Sequence, residues 1–249
     1  RLTTIFRQAR ESMIVINAHR INEGKFPINS RKQPPQADFF WVEQSDPVRI
    51  QELIIRMVCE RMPEVYGLDP LKDVQVLTPM HKGEVGTNEL NRLLQERLNA
   101  NGQELKLKQR VFKVGDRVMQ IRNNYEKDVF NGDLGWIKEI KQEEGELVVD
   151  YEDVEVSYDF DELDELTLAY AVSVHKSQGS EYPAIIMPVV TQHFMLLQRN
   201  LIYTGLTRAR RLAVLVGTKK ALAIGLRNVN AGKRYTHLQY RLQEIFNNE

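Results

Sequence analysis

The sequence predicts an α/β protein: a largely parallel sheet flanked by helices, interrupted by a small antiparallel β-barrel. Two observations carry that reading. Short apolar strands alternate with amphipathic helices in the first hundred residues, and helical and strand-like apolar segments resume from about Glu165, the pattern of a sheet with helical crossovers. Between about Lys106 and Phe160 the texture changes to short alternating segments separated by Gly, Asn and acidic turns, which suits a small barrel. With 249 residues, the chain makes one large domain or two modest ones and buries a real core.

The elements follow in order. Apolar positions Met13, Ile14, Ile16, Ala18 and Ile21 predict a helix from about Glu11 to Asn22, stopped by Gly24 and Pro27. The polar "INSRKQPPQAD" reads as a loop. "FFWVE" is a strand, and Asp46-Pro47 starts a helix running to about Met62. "VQVLTP" is a second strand, "MHKGEVGT" a turn, and Asn88 to Leu98 a helix. The barrel candidates are "VFKVGDRVMQIRNN", "LGWIKEI", "ELVVDY" and "VEVSY". After them come the apolar "ELTLAYAVSVHKSQG", the strand "AIIMPVV", a helix around "LLQRNLIYTGLTRA", the strand "LAVLVG" and a helix from Lys219.

Composition excludes several classes. The single cysteine, Cys59, rules out an internal disulfide framework and fits a reducing compartment; within "ELIIRMVCERM" it reads as a small core residue. No apolar run approaches the ~20 residues of a membrane span, and no charged-then-apolar leader is visible, so a soluble cytoplasmic protein without a membrane partner is expected. Net charge is zero, yet the charge is unevenly spread. Glu143 to Glu165 holds twelve acidic residues and no basic one, whereas Arg199 to Glu249 holds ten Lys/Arg against two acidic residues. A neutral chain can therefore still present a basic face.

Two stretches concentrate polar chemistry beside apolar strands. In "SVHKSQGSEYPAII", Ser173 to Ile186, polar groups crowd just before a buried strand, and loops held by a rigid sheet are where binding groups collect. In "NLIYTGLTRARR", Arg208, Arg210 and Arg211 stand between two apolar runs. They read either as a solvated helix end or as an arginine held toward phosphate. No second His or Cys stands at metal-ligand spacing to His175, so a metal site is rejected. A triad from Ser177 and His175 lacks a G-x-S-x-G elbow.

Taken together, "LTTIFRQARESMIVINAHRINEG", "LAYAVSVHKSQGSEYPAIIM" and "RNLIYTGLTRARRLAVLVG" resemble motifs IV, V and VI of superfamily 1 DNA helicases. The match is to the RecD/TraA-like branch that includes the exodeoxyribonuclease V alpha subunit, and it extends over nearly the whole chain. The resemblance implies an α/β fold of the RecA-like, P-loop NTPase type. Residues 1–105 and 161–249 form a second motor domain, and 106–160 an inserted SH3-like barrel. It also implies roles. Arg208 matches the motif VI arginine finger and Arg7 the motif IV arginine that reaches the γ-phosphate. Gln178, Gly179 and Glu181 match the motif V turn at the nucleotide, with Glu181 on the ribose and Gln178 coupling that site to DNA. Ser173 and His175 match positions on the single-stranded DNA backbone. In the barrel, Asn124 and Tyr125 lie in an exposed-looking turn flanked by Arg117 and Arg122, and Tyr125 is a stacking candidate.

No G-x-x-x-x-G-K-[ST] is present: the Gly-Lys pairs Gly24-Lys25 and Gly232-Lys233 are followed by Phe and Arg. Together with this absence, the resemblance implies the C-terminal portion of a larger ATP-dependent helicase, of 5′→3′ polarity by resemblance alone, and the chain is expected to be inactive by itself. ATP with Mg2+ would be held mainly by an N-terminal RecA-like domain, with single-stranded DNA and nuclease or helicase subunits as further partners. The competing reading is a non-catalytic single-strand-binding or partner-binding module.

Overall fold

A computed structural model describes residues 12–107, 110–152, 154–229 and 243. Helix α1 (Met13–Asn22) begins two residues later than expected, because its first N–H groups are capped from outside the helix. Asp38 Oδ2 accepts from the Met13 amide at 2.7 Å and from the Ser12 hydroxyl at 2.9 Å; a cap of this kind contributes about 1 kcal/mol. Ile14, Ala18 and Ile21 are buried as expected, but Ile16 is half-buried and Asn17 takes its place in the interior. The Asn17 side chain is satisfied there, exchanging two 2.8 Å hydrogen bonds with the backbone of Ile28.

Strand β1 (Phe39–Glu43) leads to α2 (Pro47–Arg56), with Asp46 Oδ1 accepting from the Val48 amide at 3.0 Å. The helical path does not end at Met62. It continues through a π-turn (Met57–Arg61) into α3 (Met62–Tyr66), and closes at Gly67 in the left-handed region (φ 61°). Pro63 is accommodated because it stands in the first turn of α3, where its missing N–H costs little. Cys59 lies in the π-turn, half-buried, and burial pushes its thiol up.

β2 (Val74–Thr78), α4 (Thr87–Leu98), β10 (Ala171–Ser173), β11 (Tyr182–Val189), α5 (Arg199–Leu206), β12 (Ala209–Gly217) and α6 (Lys219–Arg227) complete the larger unit. Its five strands are all parallel, in the order β1-β12-β11-β2-β10. A parallel sheet covered on both faces requires near-continuous apolar strands, and Ile185, Ile186, Met187, Val214, Leu215 and Val216 meet that requirement. One face packs on α1, α5 and α6, the other on α2, the π-turn, α3 and α4.

Between them, β3 (Glu104–Leu107) and β4 (Arg110–Lys113) form a hairpin. The strands β5 (Arg117–Gln120), β6 (Leu134–Lys141), β7 (Glu146–Asp150), β8 (Glu155–Asp159) and β9 (Leu166–Leu168) form an antiparallel sheet ordered β8-β7-β6-β5-β9 around its own core. Pairing of β9 with β5 carries this sheet past Phe160 to Leu168. The acidic tract partly folds onto cations, with Lys127 on Glu162, Lys138 on Glu155 and Arg122 on Asp164 (3.0 Å).

The barrel joins the larger unit through consecutive buried charges. Asp116 accepts from Gln95, Asn99 and the Tyr170 hydroxyl at 2.5 to 2.8 Å, tying the barrel to α4. Arg117 donates Nη1 to the carbonyl of Val74 at 3.2 Å. Successive residues of an extended chain point to opposite sides, so the adjacent Asp116 and Arg117 reach two neighbours.

Candidate functional site

The segment from Val174 to Glu181 links β10 to β11 as a succession of tight turns. Ser177 N–H reaches the Ser173 carbonyl, Gln178 N–H that of His175, and Ser180 N–H that of Ser177. The buried Ser177 hydroxyl donates to the Val174 carbonyl at 2.8 Å, so it is a structural group and not a nucleophile. Gly179 has φ +91°, and no atom lies within 4 Å of where a Cβ would stand. The turn therefore requires glycine for its backbone and leaves open space beside it.

Motif residues do not all share one exposure. His175, Gln178, Gly179 and Glu181 are exposed. Ser173 is buried, paired in register with Thr78, and its Oγ accepts from the Lys176 amide at 3.3 Å.

Arg208 stands at the junction of α5 and β12, half-buried. Its Nη1 donates to the Ser180 carbonyl at 2.9 Å, Nε to the Thr204 carbonyl at 3.2 Å, and Nη2 to Thr207 Oγ1 at 3.4 Å. Its own carbonyl accepts from the Tyr182 amide at 2.8 Å. Both ends of Arg208 thus hold the 174–181 loop. Arg210 is exposed and pairs with Glu181 at 2.6 Å, and Arg211 is exposed as well. Arg7 lies outside the described residues.

The barrel reaches the same loop. Lys176 Nζ donates to Asn131 Oδ1, a side chain of the barrel turn between β5 and β6. In that turn Tyr125 is 77% exposed and meets Phe130 edge-on, with ring centroids 5.9 Å apart; this presents an aromatic surface to solvent. Asn124 is half-buried and shapes the turn, its Nδ2 on Glu165 at 3.2 Å and its Oδ1 accepting from the Lys127 amide.

Arg117 departs from expectation. It does not flank an exposed turn: it is 3% exposed, inside the joint with the parallel sheet, its guanidinium 5.9 Å from the centre of the Tyr182 ring. Burial pulls its pKa below the ordinary value. Sequence reasoning also passed over Lys176, Asn131 and Phe130. Lys176 was readable from its place beside His175; the other two carry no sequence signal apart from their turn.

Among the described residues no group of three or more His, Cys, Asp or Glu could hold a metal, and no helix is long and apolar enough to cross a membrane. His193 is buried and its pKa is pushed down to about 4 by desolvation.

Comparison with known proteins agrees with this architecture. A family described as the SH3 domain of ATP-dependent RecD-like DNA helicases matches residues 90–151, and one described as the UvrD-like helicase C-terminal domain matches 168–216. The ATP-dependent RecD2 DNA helicase of Deinococcus radiodurans is 35% identical over 210 residues, which is 84% of this chain and 27% of that protein. The RecBCD enzyme subunit RecD of Buchnera aphidicola subsp. Acyrthosiphon pisum is 30% identical over 164 residues, 61% of this chain and 26% of that protein. The chain thus spans about a quarter of the length of these relatives. A crystal structure of Pif1 helicase from Bacteroides in complex with ADP-AlF3 and ssDNA matches the whole chain and 56% of that one, with TM-score 0.54 and 17% identity. That likeness shows the RecA-like fold. Through its SH3 domain, its UvrD-like C-terminal domain and its curated relatives, the chain belongs to the RecD-like DNA helicases.

Proposed function

We propose that this chain is the second motor domain, with its inserted barrel, of an ATP-dependent helicase that moves 5′→3′ on single-stranded DNA and unwinds duplex. The division is a RecA-like unit from the two ends of the chain and a barrel unit between, whose sheet reaches Leu168. The observation that carries the reading is the convergence of Arg208, Arg210 and the barrel on one exposed loop, 174–181. The residues present suit one wall of a nucleotide site: a guanidinium fork, an open glycine turn and an exposed carboxylate. ATP with Mg2+ supplies the phosphoryl group whose transfer drives the motor. This chain contributes Arg208 and, by resemblance, Arg7 as cations at that phosphate. An arginine finger raises the rate about 10³–10⁵-fold, because a planar, permanently charged fork matches phosphate oxygens. Gln178, Gly179 and Glu181 face the nucleotide side. His175, with Tyr125 and Asn124 of the barrel, serves the single strand, and the buried Ser173 supports it from beneath by holding the Lys176 amide. A first RecA-like domain supplies the phosphate-binding loop, and nuclease or helicase subunits are further partners.

The internal bonds of Arg208 favour one alternative, a non-catalytic DNA-binding module whose arginine is purely structural. ATP turnover by the complete protein, with and without single-stranded DNA, decides between them. Strong DNA stimulation that falls about 10³-fold in Arg208→Ala, with oligonucleotide affinity kept, supports the motor. Absent turnover supports the module. The isolated chain, which has no phosphate-binding loop motif, is expected to be inactive.

A further inference from the structure

The barrel holds the 174–181 loop at both ends. Near its start, Lys176 bonds Asn131. Just past its end, the guanidinium of Arg117 lies over the ring of Tyr182. The backbone amide of Tyr182 bonds the carbonyl of Arg208, and the guanidinium of Arg208 bonds the carbonyl of Ser180, two residues upstream. We infer that Arg117, seated on Tyr182, is a positioning residue: the joint through which single-stranded DNA held on the barrel sets the position of Arg208.

The chemistry of the joint fits that role better than simple adhesion. Two packed units need no charge to stick, and an apolar side chain would fill the site with no desolvation cost. Among the described residues the buried Arg117 side chain makes a single hydrogen bond, to the Val74 carbonyl, and its Nε has no partner. A guanidinium keeps its charge when buried and stacks on an aromatic face, so its planar fork holds the Tyr182 ring while leaving donors spare. Its strand, β5, runs from Arg117 to Gln120 and feeds directly into the turn that carries Tyr125, Phe130 and Asn131. A base stacked on that turn therefore pulls on a rigid strand whose far end rests on Tyr182. The element with two arrangements is the side chain of Arg208, bonded to Ser180 here and free for phosphate when the loop shifts; coupling between sites requires such an element.

The inference rests on the motor reading above. Its test uses the complete protein carrying this chain, with ATP turnover measured without DNA and with saturating oligothymidylate, and oligothymidylate affinity measured by anisotropy. Arg117→Met and Tyr182→Leu are expected to lose at least about five-fold of the DNA stimulation, with DNA-free turnover and affinity within about two-fold. Arg117→Lys keeps the charge without the planar fork and should lose part of it. Tyr182→Phe keeps the ring and should lose none. If Arg117→Met does not fold, Arg117→Lys and Tyr182→Leu decide by the same readout. Full stimulation in Arg117→Met and Tyr182→Leu overturns the joint and leaves the motor reading intact. So does an equal loss of turnover with and without DNA, which marks a merely structural residue. A wild-type protein that DNA does not stimulate overturns the motor reading itself.

Discussion

Arg208 donates its guanidinium to the carbonyl of Ser180 at 2.9 Å while its own carbonyl receives the amide of Tyr182 at 2.8 Å. The residue expected to face a phosphate is thereby tied, front and back, to the loop that carries Gln178, Gly179 and Glu181. Movement of either reaches the other through hydrogen bonds rather than through solvent. The neighbouring arginine is bound differently, and the difference can be measured.

Arg210 pairs with Glu181 at 2.6 Å, but the two side chains are 66% and 50% exposed. An exposed pair of this kind contributes less than about 1 kcal/mol. Arg210→Ala should shift urea-unfolding stability by no more than that, and the difference from wild type should shrink in about 1 M salt, where the screening length is about 3 Å. A larger, salt-insensitive loss would give Arg210 a structural role that this geometry does not.

Gly217 closes β12 where the chain passes the end of β11. A Cβ there would stand 1.9 Å from the carbonyl oxygen of Val189. That oxygen belongs to the last residue of β11, an interior strand, and accepts from the Thr218 amide at 3.2 Å, so it cannot swing away without breaking that hydrogen bond. Gly217→Ala should destabilise by about 3 kcal/mol or more, at the upper end of overpacking costs. Denaturant titration checks it, and a near-neutral result would mean that the strand ends are looser than described.

His193 is 1% exposed and its pKa is pushed from the model-compound range down to about 4 by desolvation. The folded protein holds this imidazole neutral, whereas the unfolded chain protonates it near its ordinary value of about 6.5. Stability is complete above that value and is lost as pH falls from there toward about 4. At pH 5 the loss from this one group is about 2 kcal/mol. Comparing pH 7 with pH 5 for wild type and His193→Asn should show a shallower fall in the variant; parallel curves would remove His193 from the acid response.

Tyr125, 77% exposed beside Phe130, tests the barrel's contact with DNA. Stacking on one base is worth about 1–3 kcal/mol, so Tyr125→Ala should weaken oligothymidylate binding by about 5-fold or more. It should leave the salt slope, about −0.7 per phosphate neutralised, unchanged. A changed slope with unchanged affinity would assign the turn to phosphates instead.

Much of this protein was readable along the chain, since the signals involved are local. Asp46-Pro47 starts a helix because an acceptor and a pre-set φ act within one turn. The parallel strands announce themselves as apolar runs because both their faces are covered, as Ile185 and Leu215 are. The stretches around Gln178 and Arg208 were legible as polar groups crowded beside apolar runs, and their motif roles through resemblance to a helicase family. Only the tertiary structure decided what each polar side chain meets. Arg117 looks like a turn flank in sequence, yet bonds Val74, 43 residues away, and lies on Tyr182. Ser173 looks like a surface contact and is buried against Lys176. The helical path that starts with α2 runs on past its expected end because a π-turn delivers Pro63 to the first turn of α3. In each case the physical reason is the same. Periodicity and caps depend on neighbours within a few residues, while burial and hydrogen-bond partners depend on which distant segments the fold brings together.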